Sequence, residues 1–429
     1  MPETIPTCEV ILPEFLVDGT GADPISGAAV VVRDGRVTAV TDRAGLGRTA
    51  AEGARVTEYP GCTLLPGLID THVHLCLPAG PTHDYARRLV TEESDYRLAL
   101  RSLANAQAHL RSGVTTIRDV GGRGFVALSV RDAIREGLAL GPRMQASGPP
   151  ITTPTGHLNF WNAIARNEAE VRQRATEIMD AGADLIKLCA TGGIMTAESD
   201  PMASQYTVEE LRAAVEVAEA RGTLVAAHVL ASEGLLRCVE AGVRSIEHCL
   251  WQDTPGVFQF RPDVAAVMRE KRIFAGLTFA GISQTRYLQQ KRGIQPPDDW
   301  GAWLQLLQKR YAADRELIAS GVRYVLHSDA GVRETPFGRF WLILAAGAFE
   351  LELSPVEAIR AVTATPAELM GLHEEVGQVA PGLRADLLLV RGNAGEDLEA
   401  VSHPQVVWLE GRRVAEQGIL YSSVTGSIG

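Results

Sequence analysis

The sequence predicts an α/β fold: a parallel (β/α)8 TIM barrel accompanied by a small β domain drawn from both termini. Three observations predict it. Between Gly61 and Leu372, short apolar runs alternate with segments of helical periodicity, as strands joined by crossover helices do. Several of those runs end in His, Lys or Asp, which calls for a fold that gathers many strand ends in one place. The two ends of the chain alternate in β fashion instead.

Taken in order, the region from Glu9 to Pro60 has turns at Asp18-Gly19, Asp34-Gly35 and Pro60-Gly61, and residues 29–40 read as a hairpin. Eight barrel strands are expected to end near His74, Gly121, Gly148, Cys189, His228, His248, Thr278 and Asp329. Amphipathic helices are expected at 96–111, 168–181, 208–221, 234–241 and 303–320. Beyond Leu372, strands are expected at 386–390 and 406–414, the second folding back at Glu410-Gly411. Neither terminal region has enough strands to stand alone, so the two should pair. The expected division is 1–60 and 373–429 for the β domain and 61–372 for the barrel.

Composition narrows the function. The 429 residues are 46% hydrophobic, ordinary for a globular chain. A net charge of −11 argues against nucleic acid or an anionic membrane as partner. No apolar stretch approaches a membrane span. Met1-Pro2-Glu3-Thr4 shows no basic region followed by an apolar one, so the cytoplasm is the expected compartment. A small-molecule substrate is the expected partner, and homo-oligomerisation stays open. Cys8, Cys62, Cys76, Cys189, Cys238 and Cys249 form no C-x-x-C pair and read as core residues. Cys76, Cys189 and Cys249 stand near candidate metal ligands, but the histidines and a lysine already fill those positions.

The chemistry begins at His72-Val73-His74, after the apolar run from Thr63 to Thr71. Residues two apart on a strand share a face, so both imidazoles can reach one point. Lys187 lies inside the run Ala183 to Cys189, where an unpaired ammonium is costly or loses its proton. His228 ends Leu224 to Ala227, His248 follows Ser245-Ile246-Glu247, and Asp329 follows Tyr324 to Ser328. So many ligands suggest two divalent metals, zinc fitting the oxygen and nitrogen donors best and Mn, Co or Fe also fitting. A neutral buried lysine can take up carbon dioxide as a carbamate, an anionic bridge between cations about 3.5–4 Å apart. In that reading His72 and His74 hold one metal, His228 and His248 the other, and Lys187 spans both. Asp329 joins the first and takes a proton from the water between them.

Each residue also has a plainer explanation. A lone histidine at a strand end is commonly a hydrogen-bonded core residue, a strand lysine commonly snorkels to solvent, and Asp329 could cap a turn. All of these would have to hold together.

The chain resembles the metal-dependent amidohydrolase superfamily over nearly its whole length, especially members similar to imidazolonepropionase and bacterial Xaa-Pro dipeptidases. The resemblance is carried by Leu65-Pro66-Gly67-Leu68-Ile69-Asp70-Thr71-His72-Val73-His74, by the run from Gly113 to Gly122, and by Ile186-Lys187 with Thr191-Gly192-Gly193. Ala227-His228, Gly242 to His248, Ser328-Asp329-Ala330-Gly331 and Gly377 to Leu387 add to it. It implies a distorted barrel with a β-sandwich built from both termini, a carboxylated Lys187, and hydrolysis of an amide or related bond. It also places His157, in the Gly- and Pro-rich loop from Gly148, over the scissile carbonyl as donor to the developing oxyanion. The plainer reading of His157 is a surface-loop residue.

Two departures stand out. Dipeptidase-like relatives carry an aromatic residue soon after the fifth-strand histidine, whereas this chain has Val229-Leu230-Ala231, which hints at a less polar pocket. His327 takes a position usually held by a small residue, and is expected to orient Asp329 from one layer deeper. Phe160, Trp161, Tyr206, Phe279 and Arg333 are candidate pocket residues; Trp251, Phe258, Phe260, Trp300 and Trp303 suggest an apolar lid or wall. Packing is the plainer role for the aromatics. Arg333 or Arg118 could hold a substrate carboxylate, although Arg118 could equally pair with Asp119. The expected function is hydrolysis of an amide in a small molecule such as an N-acyl amino acid, dipeptide or cyclic amide. An esterase, carbamate or lactone hydrolase on the same site, or a non-catalytic scaffold, are the alternatives.

Overall fold

The computed structural model describes residues 8–49, 53–279, 281–297 and 300–421, so Met1 to Thr4 lie outside the described residues. At its centre are eight short strands: Leu68–Val73, Val114–Asp119, Arg143–Ala146, Ile186–Cys189, Val225–His228, Ser245–Glu247, Phe274–Thr278 and Arg323–His327. The first three pair in parallel as one sheet and the last five as another. Single parallel bridges, Val73 with Ala330 and Ile151 with Leu188, link the two sheets. Most of these strands are buried at every position, which is why they read as continuous apolar runs.

Helices at Asp95–Arg111, Glu168–Asp180, Val208–Ala220, Ser232–Ala241 and Gly301–Ala319 lie between the strands. Ser94, Asn167 and Thr207 cap the first three by accepting a backbone N–H, and Thr207 completes a capping box with Glu210. Three strands end two residues earlier than expected: the second stops at Asp119 rather than near Gly121, the third at Ala146 rather than near Gly148, and the eighth at His327 rather than Asp329. Gly148 and Asp329 both have left-handed backbone (φ 68° and 57°), which no extended strand accommodates.

The terminal strands join in one nine-stranded sheet. Its hinge is the long strand Arg55–Pro66, parallel to Cys8–Leu16 on one side and antiparallel to Leu387–Arg391 on the other. One apolar cluster takes Ile11, Val30 and Leu64 from the amino-terminal part and Leu387, Leu389 and Trp408 from the carboxyl-terminal part. The Trp408 indole N–H donates to Glu9 at 3.0 Å, and Arg413 pairs with the same carboxylate. Arg55–Pro66 runs through Gly67 into the strand that carries His72. A Cβ on Gly67 would lie 2.1 Å from the Thr115 hydroxyl, so only glycine allows that junction to press against the second strand. Among the described residues, no helix is long and apolar enough to cross a membrane.

Trp408→Ala should cost about 3–5 kcal/mol of stability, as large-to-small changes of buried aromatics do. The measurement is the urea unfolding midpoint. An unchanged midpoint would mean that this cluster does not hold the two ends of the chain together.

Candidate metal centre

Strand ends deliver the site. His72 lies in the first strand and His74 just beyond it, both buried. The two nitrogens of each ring are divided between tasks. Nδ1 of His74 is 2.8 Å from the Gly121 carbonyl and Nδ1 of His72 is 2.8 Å from Glu247 Oε2, so each Nδ1 carries the proton and each Nε2 keeps a free lone pair. Those Nε2 atoms sit 3.3 Å (His74) and 3.4 Å (His72) from Asp329 Oδ1.

Asp329 is held there by the backbone: its N–H donates to the His72 carbonyl, and the His74 N–H donates to the Ala330 carbonyl, both at 2.9 Å. Asp70 strengthens the junction, accepting from the Ser328 N–H and the His72 N–H and bonding the Ser328 hydroxyl and His109. The fifth and sixth strands bring His228 and His248, with His248 in left-handed backbone at φ 64°. Ring centroids run in a continuous line: His157 to His228 4.3 Å, His228 to His248 4.6 Å, His248 to His72 5.1 Å and His72 to His74 5.2 Å. Ligand atoms of His72, His248 and Asp329 lie within 4.8 Å of one another.

Lys187 enters from the fourth strand, 1% exposed. Burial drives its pKa below the ordinary lysine value, against the pull of Glu247 and Asp329. Burial likewise holds His72, His228 and His248 well below the usual histidine range, helped by one another and by Lys187, and takes His157 down to about 3. The imidazoles are therefore neutral and able to donate lone pairs. Among the described residues, Lys187 Nζ, His228 Nε2, His157 Nδ1 and Asp329 Oδ1 are buried and make no hydrogen bond. Each such orphan costs about 1–3 kcal/mol, a penalty that bound cations remove. Neutral nitrogens, a carboxylate and an amine with unspent donor capacity suit divalent metals.

A family model described as Amidohydrolase family matches residues 63–414. The chain belongs to that family. Its members include hydrolases acting on carbon–nitrogen bonds, and this chain is one of them. It is 28% identical to a protein named ochratoxinase from Aspergillus niger, covering 96% of this chain and 87% of the relative. It is 26% identical to an imidazolonepropionase from Anaeromyxobacter dehalogenans, covering 96% of this chain and 97% of the relative. In three dimensions it is similar to a Xaa-Pro dipeptidase solved with methionine bound in its active site (TM-score 0.80, 26% identity, 95% of this chain and 99% of the other).

Other candidate residues of the amidohydrolase divide sharply. His157 is buried rather than on a surface loop, and its ring packs so tightly on Gly193 that a Cβ there would lie 2.5 Å from it. That close approach explains Gly193, while Gly192 is required by the Asp200 carbonyl, 1.9 Å from where its Cβ would lie. Trp161 lies beside His74, with centroids 5.7 Å apart, and Phe160 packs against Trp161. Tyr206, Phe279 and Trp251 are instead core residues: Tyr206 donates to the Ala165 carbonyl, Phe279 stacks on Tyr311, and Trp251 packs on Phe260. Trp303 is half exposed on its helix.

Arg118 pairs with neither Asp119 nor solvent. It is fully buried and donates to Glu247, Ser245 and the Thr71 carbonyl. Arg333 remains exposed, its nearest carboxylate Glu334 at 4.0 Å. His327 does not reach for Asp329; its Nδ1 lies 3.2 Å from Glu247 and its Nε2 2.7 Å from the Thr278 hydroxyl. Sequence reasoning passed over Glu247, Thr278 and Asp70. The signal for Glu247 was present, a carboxylate inside the apolar run that ends in His248.

Gly193→Ala should push the His157 ring aside and, on the expected catalytic role of His157, lower kcat by roughly 10²-fold, as misplacing a catalytic group by an ångström does. Bound metal, read by elemental analysis, should stay at the wild-type level. Unchanged kcat would separate His157 from the reaction.

Proposed function

We propose that the chain is a binuclear metal-dependent hydrolase that cleaves an amide bond in a small molecule such as an N-acyl amino acid, dipeptide or cyclic amide. The observation that carries this reading is the buried amine of Lys187, without a hydrogen-bond partner among the described residues, beside neutral imidazoles and Asp329. Burial favours the neutral amine of Lys187, the form that could take up carbon dioxide as a carbamate and so offer the metals an anionic ligand. In this reading His72, His74 and Asp329 would hold one metal and His228 and His248 the other, with zinc the favoured ion. The same reading takes the eight strands as a closed, distorted barrel with the terminal strands as a β-sandwich beside it, and the cytoplasm as the compartment.

Bound cations supply Lewis acidity at the substrate carbonyl and bring a water within reach of deprotonation near neutral pH. The side chains do the rest. Asp329, with one oxygen free of hydrogen bonds, accepts the proton as the water oxygen bonds to the carbonyl carbon. It returns that proton to the nitrogen as the C–N bond breaks, giving a carboxylic acid and an amine. His157, neutral throughout the working pH range, donates its ring N–H to the developing oxyanion. Phe160 and Trp161 beside His74 offer an apolar wall, and Val229 and Leu230 add no polar group that would demand a charged substrate there. The named relatives act as ochratoxinase, imidazolonepropionase and Xaa-Pro dipeptidase, which supports an amide of a small molecule.

Zinc-loaded protein should hydrolyse members of a panel of N-acyl amino acids, dipeptides and lactams, lose activity on chelation, and regain it with zinc. Failure of chelation to change turnover would remove metal from the reaction. Asp329→Asn should retain metal while kcat falls by roughly 10²–10⁴-fold, the usual contribution of a general acid–base group. Full activity in that variant would take the proton-transfer role away from Asp329.

A further inference from the structure

Beneath the imidazoles, five buried groups stand in a line, hydrogen-bonded at every link but the one between His327 and Glu247, which lie in ion-pair contact. His248 Nδ1 is 2.9 Å from the Thr278 hydroxyl, and that hydroxyl is 2.7 Å from His327 Nε2. On the other side of the same ring, His327 Nδ1 is 3.2 Å from Glu247 Oε2, the oxygen that lies 2.8 Å from His72 Nδ1. His72 and His248 fall on opposite halves of the proposed binuclear centre. We infer that His327, acting through Thr278 and Glu247, is a positioning residue that locks the ligand tautomers of both halves at once. The inference rests on the binuclear reading above.

Proton counting gives the line its direction. Glu247 Oε1 faces the Arg118 guanidinium at 2.9 Å, the arrangement of a carboxylate ion pair, which leaves Oε2 to accept. A carboxylate only accepts, so both His72 and His327 direct Nδ1–H toward it. His327 Nε2, 2.7 Å from the Thr278 hydroxyl, then accepts its O–H. The Thr278 oxygen then accepts from His248 Nδ1–H, leaving His248 Nε2 bare and free for a metal. Reversing the Thr278 hydroxyl would move the His248 proton to Nε2 and block the ligand atom. The fold reserves space for the central ring, since a Cβ at Gly276 on the adjacent strand would lie 2.5 Å from His327 Cε1. The far oxygen of Glu247 is tied down by Arg118 and by the Ser245 hydroxyl at 2.5 Å.

The test is zinc binding by the whole chain in competition with a calibrated chelator, together with the zinc content per chain and the melting temperature with and without zinc. Thr278→Val keeps the side-chain volume and deletes the hydroxyl; it should weaken one of the two binding steps about 10–100-fold, the usual effect of losing a ligand's outer hydrogen bond. Thr278→Ser should restore wild-type binding. His327→Phe, which keeps a ring and removes both nitrogens, should weaken both steps. The metal-free melting temperature of Thr278→Val should match wild type, while its rise on adding zinc shrinks. Two wild-type binding steps in Thr278→Val would overturn the relay, as would a His327→Phe defect confined to one step. A third zinc per chain would make His327 a ligand with His72 and Glu247, and would overturn it too. Fewer than two zinc ions on the wild-type chain would instead bring down the binuclear reading beneath it.

Discussion

A lysine amine without a partner, sealed among neutral imidazoles, is the constraint on which the structure turns. Burial pulls the Lys187 pKa below the ordinary lysine value, and no hydrogen bond from the described residues repays the lost hydration. Taken alone, that is a destabilising arrangement. It fits a site whose donors cations would satisfy. The surrounding strands serve that end, because His72, His74, His228, His248 and Asp329 stand at or just past the ends of their strands and Lys187 stands within its own.

Backbone conformation at those ends is unusual, and consistently so. His248, Cys249 and Asp329 all adopt left-handed backbone, which costs of order 1–3 kcal/mol at a non-glycine residue and persists only where surrounding bonds impose it. For Asp329 the imposing bonds are visible. Its N–H is spent on the His72 carbonyl, Ala330 is paired with His74, and Asp70 grips Ser328 and the His72 amide together. The carboxylate is thereby aimed at both imidazoles by main-chain geometry rather than by its own side-chain freedom. A site that must hold several groups within a fraction of an ångström gains from such fixed positioning.

The histidines show how one residue type divides into roles. His72, His74 and His248 each use Nδ1 to bind the protein and leave Nε2 bare, whereas His109 serves Asp70 and the Gly338 amide and never approaches the centre. His327 resembles the first group in the sequence, lying two residues before Asp329 on the same strand. Its partners place it below the others, where it meets Glu247 and Thr278. Similarly, the aromatics scattered through the loops read alike in one dimension. Phe160 and Trp161 lie beside His74, while Tyr206, Phe279 and Trp251 fill the core.

Local pattern alone reveals the strand–helix alternation, the family, and the ligand-type residues His72, His74, Lys187, His228, His248 and Asp329. Each is legible in one dimension because it depends on near neighbours: apolar runs of strand length, two-residue spacing, and a polar group at a fixed place in its run. The partners of these residues are another matter, settled by long-range packing. Glu247 is joined to Arg118, His72 and His327 across strands 129, 175 and 80 positions apart by residue number. Periodicity says which face of a strand a residue takes, but not which residue of a distant strand stands opposite it. The register between strands sets that opposition, and register emerges only when the whole sheet packs.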